Sequence, residues 1–174
     1  MSLSDNKPRL YIVNFARTTT EGNNPDPYHW GLTSGPKDGN TIGMLLYHVR
    51  NVYSSNGVQW IREEPPRDLS PGPTPLTLTF TAVAKITDLA RLQQVIRNVP
   101  VDADAPWTTF NCRIWVEKAL QAIAQDGGCI GTNVLGKGWA VLEQQCDTFA
   151  KPYRQMLVDG KGLPAPRKIQ NLVG

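Results

Sequence analysis

Segments of strand type fill the first half of this chain and helical periods follow them, an order that selects a sheet covered by helices over alternating strand and helix units. Leu10-Tyr11-Ile12-Val13-Asn14-Phe15 is a β-branched and aromatic run that gives way to a polar stretch, Thr18 to Asp26, a first strand and its loop. Tyr28 to Ser34 and the apolar run Ile42 to Val52 flank Gly35-Pro36-Lys37-Asp38-Gly39-Asn40 and read as two strands around a turn. Val58-Gln59-Trp60-Ile61 is a fourth strand, and the proline-rich Glu63 to Pro73 stretch after it predicts an exposed irregular loop. Leu76 to Ile86 alternates Leu76, Leu78, Phe80, Ala82 and Ala84 with Thr77, Thr79 and Thr81, the pattern of a half-buried strand.

Helical spacing begins at Thr87, a candidate cap for a stripe of Leu89, Leu92, Val95, Ile96 and Val99 that Pro100 stops. Thr108-Thr109-Phe110-Asn111 supplies caps for a second helix, in which Cys112 is in register with the core stripe Trp115, Val116, Ala119, Leu120 and Ile123. Trp139, Leu142, Cys146 and Phe149 share a face of a third helix, which makes Cys146 a core residue. The expected fold is α+β, an antiparallel sheet of about five strands packed against two or three helices. At 174 residues, 40% hydrophobic and 19% charged, the chain suits one core. The expected domain covers residues 1–150, and residues 151–174 form a basic tail containing Pro and Gly.

Composition narrows the function. No apolar run reaches the 18 or so residues of a membrane helix, and the start Met-Ser-Leu-Ser-Asp-Asn-Lys-Pro-Arg has no secretory pattern, so a cytoplasmic protein without an integral membrane segment is expected. Met-Ser at the start and Asn-Leu-Val-Gly at the end carry no lipidation signal. The net charge of +3 is concentrated in the tail without a dense Lys/Arg run, and nucleic acid is not an expected partner. Three cysteines, Cys112, Cys129 and Cys146, cannot complete a disulfide framework and lack zinc spacing. With no phosphate-binding loop, dinucleotide fingerprint or His-Glu-x-x-His, no cofactor and no metal are expected. Glu63-Glu64 precedes Pro-Pro and reads as a solvated surface.

The only two histidines, His29 in Tyr28-His29-Trp30 and His48 in Leu46-Tyr47-His48-Val49, both sit on strands ahead of Cys112. If Asp38-Gly39 centres a tight hairpin, His29 lies directly opposite His48 with Cβ atoms about 4.5–5.5 Å apart. Cys112 opens a helix that packs on that sheet, where the positive end of the helix favours thiolate and a histidine can accept the thiol proton. Cys129, in the glycine-rich Asp126 to Gly131 loop, is expected to be an exposed rival thiol that lacks a base. Trp30, Asn111 and Trp107 are the candidate substrate-binding residues.

Together, His-Trp on a strand, a later strand histidine and Asn-Cys opening a helix resemble the lecithin:retinol acyltransferase group of the circularly permuted papain-like superfamily, across residues 9–125. The layout is also similar to that of small uncharacterised fungal proteins with a Tyr-His-Trp and Asn-Cys pair. The resemblance implies His29 as base, His48 as its orienter and Cys112 as the acyl carrier. Asn-Cys continues here into Arg113-Ile114-Trp115 rather than an acidic-His-Phe sequence, and no hydrophobic C-terminal membrane segment follows, so a lipid substrate is not carried over. The expectation is a thiol-dependent hydrolase or acyltransferase, of amidase, isopeptidase or thioesterase class, acting on a small-molecule or peptide ester, thioester or amide through a covalent Cys112 intermediate. The alternative is a non-catalytic scaffold of the same fold that binds a small molecule or protein partner, accessory to a biosynthetic pathway.

Overall fold

The computed structural model describes residues 6–17, 25–55 and 57–174. The fold is α+β. Strands β1 (Arg9–Ala16), β2 (Tyr28–Gly35), β3 (Leu45–Tyr47), β6 (Arg67–Asp68), β7 (Thr77–Ile86), β8 (Ile130–Asn133) and β9 (Lys168–Asn171) form one sheet in the order β6-β3-β2-β1-β7-β8, with β9 added parallel to β7. Strands β4 (Val49–Ser54) and β5 (Gly57–Arg62) form a separate two-stranded ribbon. Helices α1 (Leu89–Arg97), α2 (Cys112–Asp126) and α3 (Trp139–Val158), with a short 3-10 turn at Leu135–Lys137, complete the described elements. Among the described residues no helix is long and apolar enough to cross a membrane. Of the expected Thr18–Asp26 loop, residues 18–24 lie outside the described residues.

Alternation along β1 explains the layers. Leu10, Ile12 and Ala16 join Trp30, Leu32 and the apolar stripes of the helices in the larger core, while Tyr11, Val13 and Phe15 join Met44, Leu46, Leu69, Phe80 and Ala82 in a smaller core on the opposite face. Both faces of the central strands are therefore covered. That corrects the half-buried reading of β7: nine of its ten positions are buried, because register shifts against β1 turn Leu78 to the helix face and Phe80 to the other.

The helices form where the periodicity places them. Asp88, not Thr87, caps α1, accepting the Arg91 N–H at 2.9 Å. Asn111 caps α2, its Oδ1 accepting the Ile114 N–H at 3.0 Å, and Gly127 closes the helix with φ 62°. The buried face of α2 is Cys112, Trp115, Val116, Ala119, Leu120 and Ile123, and it packs on β2.

Other expectations are corrected. The link between β2 and β3 is not a two-residue turn but residues 36–44, with a turn closed by Gly39 N–H on the Pro36 carbonyl. Thr33 pairs with Leu46, a register displaced from the expected one by two residues, which keeps His29 and His48 on the same face. Residues 151–174 are not a separate tail, since α3 runs on to Val158 and Lys168–Asn171 pairs with β7. Cys129 is buried rather than exposed: its carbonyl accepts the Thr87 and Asp88 N–H groups, pinning the segment against the start of α1. Burial, then the neighbouring Asp126 carboxylate, pushes its thiol up to about 11. Cys146 is core as expected, and burial pushes its thiol up to about 12. Phe149 is half-buried against Tyr153, and Ala150 takes the buried position of that turn.

Candidate active site

Strand alternation sends the His29 ring to the Phe15 side of the sheet and the Trp30 ring to the helix side. β3 ends at Tyr47, and the chain leaves the sheet through His48 to begin the β4–β5 ribbon. The His48 ring turns back beneath β2, with Nδ1 2.7 Å from His29 Nε2 and ring planes at 78°. The two histidines therefore meet, as the sequence predicted.

A third member was missed. Val49 pairs with Arg62 in the ribbon, and the Glu63 N–H reaches the His48 carbonyl at 3.2 Å, so Glu63 is held opposite His48. Its Oε2 bonds His48 Nε2, and its Oε1 accepts from Arg67 Nη2 at 2.9 Å. This corrects the reading of Glu63 as solvated surface. Burial pushes the Glu63 carboxyl up, but the hydrogen bonds from Arg67 and His48 outweigh it and hold the group below its ordinary range. The hairpin register places Glu63 there: Ser54 pairs with Gly57 and Val49 with Arg62, and one further step along it brings 48 opposite 63.

The ionised carboxylate fixes the protons of the whole line. Glu63 can only accept, so His48 carries its proton on Nε2 and accepts at Nδ1; His29 then donates from Nε2 and keeps its lone pair on Nδ1. Nδ1 is the ring nitrogen nearer the main chain. Burial, followed by the charges of His48, Arg17 and Arg67, pushes the His29 pKa well below its ordinary value, and burial pushes His48 down against the opposing pull of Glu63. Both rings are neutral at rest.

Cys112 occupies the first position of α2 and is 1% exposed. Its Sγ accepts the Trp30 backbone N–H at 3.5 Å and Arg17 Nη2 at 3.3 Å. The sulfur thus sits one peptide bond from His29, on the edge of β2 where β3 has stopped. Among the described residues no hydrogen bond joins His29 to Cys112. Burial pushes the thiol up, opposed by the Arg17 guanidinium and the Trp30 N–H, so the resting group is a thiol and not the depressed thiolate expected from helix position alone.

The expected substrate-binding residues have structural duties. The Trp30 ring is fully buried, edge-on to Trp139 at 5.8 Å and covered by the Arg113 guanidinium at 4.3 Å. Arg113 is in turn shared by Asp26, Glu143 and Asp147. The Asn111 amide is committed to the cap and to the Trp107 carbonyl, at 2.9 Å. Trp107 is half-buried against the larger core. Among the described residues no group of three or more His, Cys, Asp or Glu side chains is placed to hold a metal ion.

No curated protein and no solved structure matches the chain significantly. One family model spans most of it, from the start of β1 through the greater part of α3 and across His29, His48, Glu63 and Cys112. With residues 7–156 matched, the chain belongs to the family of unknown function DUF6914.

Proposed function

We propose that the protein is a thiol-dependent hydrolase or acyltransferase in which Cys112 attacks an ester, thioester or amide carbonyl, His29 is the base and His48 orients it. The observation that carries this reading is the line Glu63–His48–His29, whose fixed tautomer leaves a lone pair on His29 Nδ1, in the residue directly before the Trp30 N–H that holds Cys112 Sγ. Sγ forms a bond to the carbonyl carbon while its proton passes to His29 Nδ1. The leaving alcohol, thiol or amine takes that proton, and water or another acceptor then cleaves the thioester. The Cys112 N–H, at the first helical position with no intrahelical acceptor, is available to the oxyanion.

The order histidine, histidine, cysteine, with the thiol opening a helix on the histidine-bearing sheet, supports a permuted papain-like relationship as part of this proposal. Three unpaired thiols support a cytoplasmic location. The near-complete burial of Cys112 favours the second reading, a non-catalytic binding scaffold.

Intact-mass spectrometry after exposure to nitrophenyl esters, acyl thioesters and aryl amides separates the two. An acyl adduct on the wild type that is lost in Cys112→Ala and slowed in His29→Gln is the expected result. No adduct from any donor would sink the enzyme reading and leave the scaffold.

A further inference from the structure

Arg17, just past the end of β1, is the guanidinium that reaches the sulfur. Its Nε donates to the Tyr28 carbonyl at 2.8 Å and its Nη2 to Cys112 Sγ at 3.3 Å. A guanidinium anchored at one nitrogen presents its remaining donors in a fixed fork, so less freedom is lost when an anion arrives. Arg113 shows the contrast: three carboxylates share its charge, whereas among the described residues Arg17 has no carboxylate partner. Asp26, whose charge reaches the sulfur, is bonded by Arg113 Nε and Nη2 at 2.8 and 2.9 Å. A partly buried cation that has no carboxylate partner among the described residues and is already in contact with the nucleophile is set for an anion that exists only when the sulfur ionises.

The histidines do not fill this role. His29 Nε2 is taken by His48, and both rings are held neutral by burial. A thiolate formed here therefore has no imidazolium to pair with at rest. Among the described residues, the charged groups that act on the sulfur are Arg17 after β1 and Asp26 ahead of β2, the latter held by Arg113 on α2.

We infer that Arg17, and not His29, is the charge partner of the Cys112 thiolate, which makes Arg17 a catalytic residue of the site. The inference rests on the thiol-chemistry reading given above and specifies how the nucleophile is made. On ionisation the S–H bond breaks and its electron pair stays on sulfur, facing the Arg17 Nη2 proton. In turnover the proton goes to His29 Nδ1 and the sulfur pair forms the C–S bond.

The test is a pH titration of thiolate ultraviolet absorbance, taken as the difference between each protein and its Cys112→Ser counterpart, in the wild type and in Arg17→Gln, Arg17→Lys and His29→Gln. Arg17→Gln is expected to raise the apparent pKa by about one unit, a tenfold loss of thiolate near neutral pH, while His29→Gln stays within about twofold. Arg17→Lys keeps the charge but cannot bridge the Tyr28 carbonyl and the sulfur together, and is expected to lose about threefold. An unchanged titration in Arg17→Gln, or a fall in His29→Gln as large as that in Arg17→Gln, overturns the inference. Should Arg17→Gln fail to melt cooperatively, Arg17→Lys decides alone, and no change in it overturns the pairing. The titration needs no acyl donor, so thiolate that follows Arg17 in a protein that no ester acylates would refute the enzyme reading and leave the pairing standing.

Discussion

The two histidines, His48 buried and His29 partly so, make the stability of this protein depend on pH near neutrality, and the dependence can be worked out because no other histidine exists. In the unfolded chain each imidazole takes up a proton near its ordinary value of about 6.5. In the folded chain both pKa values are lowered, by burial first in each case, and for His29 well below that value. A lowered folded pKa means that the unfolded state binds the proton first. The stabilisation is complete above the ordinary value and is lost as pH falls below it toward the folded pKa.

Each imidazole that stays neutral in the folded state while its unfolded counterpart is protonated contributes a slope of about 1.4 kcal/mol per pH unit. His29 gives one such slope, and His48, whose lowering Glu63 opposes, gives part of a second. Unfolding free energy from urea titrations should therefore fall by between about 1.4 and 2.7 kcal/mol per unit below pH 6 and flatten above about pH 7.5. The thiols do not interfere, because all three are pushed up, away from this range. The double variant His29→Gln, His48→Gln should remove the slope. A wild-type slope under half a proton, or one that survives in the double variant, would show that the rings are not held neutral and would refute the tautomer argument built on them.

Arg113→Ala leaves Asp26, Glu143 and Asp147 without their shared cation and uncovers Trp30; a loss of about 2–4 kcal/mol is expected in chemical denaturation, and Arg113→Lys should restore only a minor part of it. Asn111→Ala removes the α2 cap at a cost of about 1 kcal/mol, read as a fall of roughly 2–4 °C in Tm, and the Cys112 titration should move with it. At Gly31 a Cβ would meet Leu46 Cδ1 at 2.9 Å, the Tyr47 carbonyl at 3.2 Å and His48 Cβ at 3.3 Å, so Gly31→Ala should push His48 away and abolish the imidazole–imidazole hydrogen bond in proton NMR spectra; an intact signal would contradict the packing. Glu63→Gln can present an amide N–H to His48 Nε2 and reverse the relay, leaving His29 Nδ1 protonated, an outcome that nitrogen-15 shifts report directly and that an unchanged tautomer would refute.

Elements with a strong local period were legible in the sequence. The stripe of α2 and its Asn111 cap, the run in β1 and the Pro100 stop after α1 depend on side chains a turn or two apart, and the structure keeps them. The misread elements depend on distant partners. β8 and β9 are strands because β7 offers a free edge to each, and nothing within Ile130–Asn133 or Lys168–Asn171 alone says so. The buried place of Cys129 has the same origin, set by a carbonyl that meets N–H groups more than forty residues earlier in the chain. In the site, the parity of strand alternation was enough to bring His29 to His48 even with the register displaced by two, while Glu63 and Arg17 are recruited by a hairpin and a strand end whose geometry the chain reveals only when folded.

One local event accounts for most of the site. If β3 continued pairing beyond Tyr47, the next strand would cover the β2 edge at Trp30 and its N–H would be spent in a ladder. The sequence places His48 where that continuation fails: the chain breaks from the sheet there, and Val49 starts the separate ribbon with β5. The break leaves the Trp30 N–H free to hold Cys112 Sγ, turns the His48 ring onto His29, and carries the chain into the hairpin that returns Glu63 to His48. Gly31, directly after Trp30, lets the departing strand pass close enough for all three. Bulk at position 31 should therefore disturb the histidine line and the sulfur contact together, whereas substitutions within the cap of α2 should move the sulfur and leave the histidines where they are.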